Sequence, residues 1–325
     1  MRHVLQIKTP VTTHAKVKMN YNRVSRSPFL GRRRCTYLIF LGFVGSLFLM
    51  IWILKGPIWG ISEPAIDMNM YSQKMNSLKK LLQEGVTEDD PNLIQLLRTD
   101  FVFLPEIKPY NLKNPYLLDY SCGQSGAIDK ILSQKEKGFY IEAGAYDGES
   151  ISNTLFFEKV RKWNGLLIEP DPFVFERLKA KNRKAILVNS CLNIKPQPSI
   201  LEFNRGNEMG RVWVDQEDKN WVKDMKMKVN VIEVPCFSLY SILLAVNQTT
   251  IDYFSLDIEG RELSVLQSIP FEKVHIDTFT VEYLNGEDNY SREIKSFMEK
   301  NGYQHVTNLP GNKTCTARDA LFKKE

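Results

Sequence analysis

From Lys137 onward the chain alternates short apolar runs with helix-spaced runs, and this order constrains the fold more than any other feature. Phe139-Tyr-Ile-Glu142 reads as a strand ending in an acid, followed by the Gly-bounded turn Gly144-Ala-Tyr-Asp-Gly148. Ser150 to Val160 is the next helix candidate. Gly165-Leu-Leu-Ile-Glu169 is a second strand ending in an acid, and Pro170-Asp-Pro172 leads into a helix carrying Phe175 and Leu178. Ala185 to Asn189, Val229 to Val234, Asp252 to Ile258, Thr278 to Glu282 and Ala320 to Phe322 read as further strands. Leu263, Leu266 and Ile269 mark one intervening helix; Ile294, Phe297 and Met298 mark another, closed by Asn301-Gly302. Such alternation specifies an open, mostly parallel α/β sheet with helices on both faces. The polar stretch from Asn193 to Lys228 is expected to form a hairpin or an insertion.

The N-terminal part has another character. Residues 1–34 carry nine Lys or Arg and no acid, so the net charge of +5 belongs to this tail. Cys35 to Leu54 is uncharged and about the ~20 residues a helix needs to cross a bilayer. Tyr37 and Trp52 lie near its ends, and Arg32 to Arg34 precede it. The positive flank stays cytosolic. The expectation is therefore a type II signal anchor over 35–54, with a basic cytosolic tail over 1–34. A cleaved signal peptide fits worse, because the basic region and the apolar run are both too long. Residues 55–118 read as a lumenal stem. Met75, Leu78, Leu81 and Leu82 share a helical face, Asp90-Pro91 opens a short second helix, and Pro105, Pro109 and Pro115 break the remainder of the stem into extended loop.

A lumenal body agrees with sequons at Asn247, Asn289 and Asn312, which make a glycoprotein. It also agrees with four cysteines after the span, where an oxidising compartment permits disulfides. Cys191 with Cys236 is the first pairing expected, since both flank neighbouring sheet elements; Cys122 and Cys315 remain for a second. Cys35 at the membrane edge is a palmitoylation candidate or an unmodified apolar residue. The lumenal part has only His275 and His305 and no CxxC, so no zinc site is expected. The tail lacks interleaved aromatics, so no nucleic-acid partner is expected; the basic residues would instead face the membrane surface or coat components.

In open α/β sheets ligands bind beyond the carboxyl ends of the strands. Glu169 lies where a carboxylate can accept hydrogen bonds from two ribose hydroxyls. Acids at two successive strand ends suit a phosphate-free, sulfonium-bearing cofactor better than a dinucleotide. The plain alternative is that Glu142 and Glu169 are solvated or cap a helix.

The stretch FYIEAGAYDGESISNTLFFEKVRKWNGLLIEPDP, with IDYFSLDIEGRELSVLQSIP and DYSCGQSGAIDKIL, resembles the FkbM family of methyltransferases over roughly Asp119 to Phe322. Gly-Ala-Tyr-Asp-Gly, Ser-Asn-Thr-Leu and Val-Pro-Cys-Phe-Ser-Leu-Tyr-Ser-Ile-Leu are similar to its Star-like branch of membrane proteins. The resemblance implies a class I, Rossmann-like methyltransferase fold over 119–325 with S-adenosylmethionine as cofactor. It assigns Glu142, Gly144 and Gly148 to the first cofactor motif, with Asp147 adding charge to the same turn. Glu169 becomes the ribose acid, and Asn189 lies near the adenine edge. Asp257, Glu259 and Gly260 match an Asp-x-Glu-Gly motif facing the transferred methyl, and Glu282 ends the next strand in the same pocket. Asp257 or Glu259 would orient or deprotonate an acceptor hydroxyl. Alternatively the carboxylates bind a divalent cation, or Glu259-Gly260 is only a strand-to-helix turn.

Two functions are expected on these grounds. The Star-like branch implies an escort of membrane cargo such as growth-factor precursors between endoplasmic reticulum and Golgi, extending to endosome or plasma membrane. The acids Glu142, Glu169, Asp257 and Glu259 imply a lumenal O-methyltransferase acting on a glycan or small hydroxylated acceptor.

Overall fold

A computed structural model of the chain describes residues 65–206, 209–214, 220, 228–283, 289–309 and 318–325. The expected span Cys35 to Leu54 lies outside these residues. Among the described residues no helix is long and apolar enough to cross a membrane.

Most of the apolar runs from Phe139 onward enter an eight-stranded sheet. In chain order its strands are β1 (Val102–Phe103), β2 (Phe139–Ala143), β3 (Asn164–Ile168), β4 (Ile186–Val188), β9 (Thr250–Leu256), β10 (His275–Glu282), β11 (Tyr303–Leu309) and β12 (Asp319–Lys324). The spatial order is β1-β4-β3-β2-β9-β10-β12-β11. Neighbours from β4 to β10 are parallel, while β12 runs antiparallel to both β10 and β11. Counted without β1, the order is 3-2-1-4-5-7-6. This is the doubly wound order with one antiparallel strand inserted before the last, the mixed sheet of the class I methyltransferase-like fold. The strand order reverses between β2 and β9, so their carboxyl ends border the switch point where ligands bind.

A second sheet, β5 (Cys191–Leu192), β6 (Ser199–Asn204), β7 (Arg211–Trp213) and β8 (Val231–Phe237), has the order β5-β8-β6-β7. It realises the hairpin expected between Asn193 and Lys228, since β6 pairs antiparallel with β7. Cys191 stands opposite Cys236 in the β5–β8 register, and the two form a disulfide with Cα atoms 4.5 Å apart. Cys122 is also disulfide-bonded; Cys315 lies outside the described residues.

The helices are α1 (Met68–Glu84), α2 (Pro91–Leu96), α3 (Gln124–Ile131), α4 (Pro172–Lys179), α5 (Leu239–Val246), α6 (Glu262–Ser268) and α7 (Asn289–Lys300). Two Asp-Pro pairs start helices by one mechanism: Asp90 and Asp171 accept hydrogen bonds from backbone N–H groups of the first turn, and the following proline takes the first helical position.

Three expectations change. The segment read as a stem does not stand apart over its described part: Leu78, Leu93 and Leu97 are fully buried in the main core, and Val102–Phe103 adds an edge strand against β4. Residues 104–118 then lie along the domain, with the N–H groups of Lys113 and Asn114 donating to Glu149 at 2.8 and 2.6 Å. The helix expected over Ser150 to Val160 shrinks to a π-helical turn at Phe157–Arg161. Ser152, Asn153 and Thr154 instead direct donors at Glu142, which diverts that stretch from helical geometry. Finally, β11 lacks an apolar signature in the sequence: Gln304, His305, Thr307 and Asn308 are polar, as suits an exposed edge strand.

Candidate functional site

Strand register places the acids. On one face of the sheet, Glu142 of β2, Ser255 of β9 and Thr280 of β10 lie abreast. Side chains alternate with period two, so the next rung up on that face holds Asp257 and Glu282, with Asp319 of β12 opposite Glu282. Gly144 tops β2 beside them. Its φ of +82° is left-handed, and a Cβ there would fall on the carbonyl oxygen of Asp257. The glycine therefore serves the close approach of β2 to β9, where the Asp257 N–H donates to the Ala143 carbonyl at 3.2 Å.

The structure brings Asp257, Glu259 and Glu282 together. One carboxylate oxygen from each lies within 4.8 Å of the others, and all three residues are half-buried. Asp257 and Glu282 are hydrogen-bonded to each other, and further carboxylates act on both: Glu262 and Glu142 on Asp257, Glu259 and Glu262 on Glu282. Loss of water raises the Asp257 carboxyl to about 6, with the Glu262 and Glu142 charges adding to the rise and the Glu282 hydrogen bond opposing it. Glu282 is pushed up further, by burial first and then by Asp257; two carboxyl groups this close do not both ionise freely. Asp319 rises to about 7 through burial and the Asp257 charge, although Gln124 donates to it at 2.7 Å.

Glu259 owes its place to a strained turn. It has φ +62° and Gly260 has φ +108°. The turn is held by Glu262, which is fully buried and accepts from the N–H groups of Ile258 and Gly260 at 3.0 and 2.9 Å. The Tyr290 hydroxyl donates to the other oxygen of Glu262 at 2.8 Å. Neither Glu262 nor Tyr290 was among the expected site residues. The available signal was an acid at the first position of a helix, three residues after Glu259.

The cofactor-side residues fare unevenly. Glu169 is buried at the end of β3 and accepts from the N–H groups of Tyr146 at 3.0 Å and Asp171 at 2.9 Å. Burial raises its carboxyl to about 8 against the pull of those two N–H groups. A carboxylate has about four acceptor directions, so the ribose role remains open to it. Asn189 is buried and donates to the carbonyls of Glu169 at 2.9 Å and Pro170 at 3.3 Å, so its amide sets the shape of this edge. Gly148 has φ +74° and lies against Leu178.

Glu142 and Asp147 are both engaged by the loop that follows β2. Both Glu142 oxygens are taken by the Ser152 hydroxyl (2.9 Å), the Asn153 N–H (2.6 Å) and the Thr154 hydroxyl (2.5 Å). Asp147 accepts from the N–H groups of Glu149 and Ser150 and lies 3.7 Å from Lys181. Each carboxylate organises its own loop. Below them sits a further group that sequence reading missed. Arg183 is buried, forms an ion pair with Glu158 at 3.0 Å, and donates to the carbonyl of Gly148 and the hydroxyls of Tyr140, Ser152 and Thr154. Its charge offsets part of the burial cost of Glu142, whose carboxyl nonetheless stays raised, by burial above all.

Among the glycosylation candidates, Asn247 is exposed at the C-terminal cap of α5. Asn289 is the first residue of α7. Asn312 lies outside the described residues.

A family comparison agrees with this arrangement: the model for the methyltransferase FkbM domain matches residues 142–305. No curated protein matches the chain. Among solved structures it is similar to a methyltransferase from Pyrococcus furiosus, at 14% identity over 62% of this chain and 81% of that one, with a TM-score of 0.35. It is similar to a human methyltransferase 10 domain containing protein at 15% identity over 72% and 98%, with a TM-score of 0.35. A third is the 1,6-didemethyltoxoflavin-N1-methyltransferase of Burkholderia thailandensis, solved with S-adenosylhomocysteine, at 9% identity over 64% and 80% and a TM-score of 0.35.

Proposed function

The chain belongs to the FkbM methyltransferase domain family, and from that membership we propose that it is an S-adenosylmethionine-dependent O-methyltransferase acting on a glycan or small hydroxylated acceptor. The observation that carries this reading is the hydrogen-bonded pair Asp257–Glu282 at the carboxyl ends of β9 and β10, beside the Gly144 turn. Gly144, Glu169 and Asn189 would hold the cofactor, which supplies the methyl group when bound. Asp257, with a carboxyl near 6, would take the acceptor hydroxyl proton at neutral pH. Glu282, kept protonated, would hold Asp257 in position. The rest of the rate would come from orientation of the acceptor for in-line attack. Cys35 to Leu54 is read as the anchor of a type II membrane protein, which puts this site on the lumenal or extracellular side. Calorimetry on the purified full chain tests the reading. S-adenosylhomocysteine should bind, and Glu169→Gln should weaken it by a few-fold to about tenfold at neutral pH, the worth of a hydrogen bond to an uncharged carboxyl. Asp257→Asn should bind the cofactor and lose transfer. Absence of binding at millimolar cofactor refutes the proposal.

A second reading draws on the engagement of Glu142 and Asp147 by their own loops. It is the Star-like escort, in which the fold carries membrane cargo such as growth-factor precursors from endoplasmic reticulum to Golgi without methyl transfer. Normal cargo export in cells lacking the protein would sink it.

A further inference from the structure

Asp257, Glu259 and Glu282 offer only oxygen, and three such oxygens lie within 4.8 Å of one another. In an octahedral shell with bonds of ~2.1 Å, ligand oxygens stand about 3 Å apart when adjacent and about 4.2 Å apart when opposite. The trio therefore fits around one ion. An acidic cluster alone would say little, but the walls add a separate observation. The Gln124 side chain is 2% exposed and its Oε1 has no hydrogen-bond partner; Asn153 is 4% exposed and its Oδ1 has none either. Both amides are turned to this face of the sheet. Gln124 donates through Nε2 to Asp319, which stands opposite Glu282. Asn153 donates through Nδ2 to Ser255 at 2.9 Å, one rung below Asp257. Glu282 Oε2 is buried and unpartnered as well. The two amide oxygens are acceptors without donors, and Glu282 Oε2 becomes one when a cation displaces the proton that Glu282 otherwise holds. Buried acceptors without donors are costly, and a hydrated cation answers all of them.

We propose that Asp257, Glu259 and Glu282 form a divalent-cation site for a hard ion of the Mg²⁺, Mn²⁺ or Ca²⁺ class, whose bound waters are held by Gln124 and Asn153. The absence of nitrogen and sulfur donors from the trio disfavours zinc or copper. The same carboxyls serve the preceding proposal, but cation binding is read without cofactor or transfer, so the two proposals fail separately.

The test is Mn²⁺ titration of the full chain without cofactor, followed by electron paramagnetic resonance of the free ion. One saturable site is expected, displaced by excess Mg²⁺ or Ca²⁺. Glu282→Gln and Asp257→Asn should each weaken it by about a hundredfold or more, and Asn153→Ala by about tenfold, the lower end of the range for groups supporting metal ligands. Glu282→Gln keeps the side-chain shape and removes a carboxyl held among like charges, so it should fold, and its melting temperature without metal is the control. Mn²⁺ should raise the melting temperature of the unsubstituted chain and not that of Glu282→Gln. No saturable binding up to about 1 mM Mn²⁺, or equal affinity and equal thermal shift in Glu282→Gln, overturns the proposal.

Discussion

Gly144→Ala and Gly148→Ala make a matched pair that tests how the site is built. Both residues have left-handed φ, +82° and +74°, so each alanine incurs about 1–2 kcal/mol of backbone strain. They differ in what the new methyl meets. At Gly144 it meets the backbone carbonyl of Asp257, with the carbonyl carbon 3.0 Å away. That group directly follows β9 and can yield only by parting the end of β9 from β2. The overlap adds about 1–3 kcal/mol, and loss of the Asp257 N–H to Ala143 hydrogen bond adds about 1 kcal/mol. At Gly148 the methyl meets the Leu178 Cδ1 atom, the far end of a side chain that can rotate. The totals are about 3–6 kcal/mol against about 1–3 kcal/mol. At about 2–4 °C per kcal/mol for a unit of this size, Gly144→Ala should lower the melting temperature by roughly 6–24 °C. Differential scanning fluorimetry at fixed pH would measure both variants. If Gly148→Ala loses as much as Gly144→Ala, the close approach of β2 to β9 is not what the glycine serves.

Two further predictions concern charge. Glu169 near 8, Asp319 near 7 and Asp257 near 6 are all raised above their unfolded values. Between about pH 5 and 8 the folded state thus binds more protons than the unfolded one, and stability falls as pH rises through that window, by about 1.4 kcal/mol per pH unit for each group still protonated. Denaturant unfolding of the metal-free protein at about pH 5.5 and about pH 7.5 should show this loss, and Glu169→Gln should flatten it; a gain of stability over the window would contradict the assignment. Arg183→Met leaves Glu158 buried without its cation and should cost about 3–5 kcal/mol, whereas Arg183→Met with Glu158→Met should cost less than the single change. A double variant weaker than Arg183→Met would show that the pair is not the main reason for the arginine.

Local rules accounted for much of this protein. Period-two and helical spacing located the strands and helices of the main sheet, two Asp-Pro pairs marked helix starts, and the alternation implied parallel pairing. The acids at the ends of β2, β3, β9 and β10 came from the same pattern, because each is set by its position in its own strand. What no local rule could supply was the partner of each side chain. Glu142 and Asp147 look like Glu169 along the chain, yet they are consumed by the loop after β2, while Glu169 bridges β3 to that loop. Arg183 and Glu158, 25 residues apart, meet only because β2 and β4 flank β3. The burial of Leu78, Leu93 and Leu97 depends on a face of the sheet completed far downstream. The grouping of Asp257, Glu259 and Glu282 depends on the β9–β10 register and on a turn fastened by Glu262. Sequence spacing therefore determined which elements form and where their acids lie; tertiary contacts alone decided which acids are consumed by their own loops and which are gathered among like charges at the switch point.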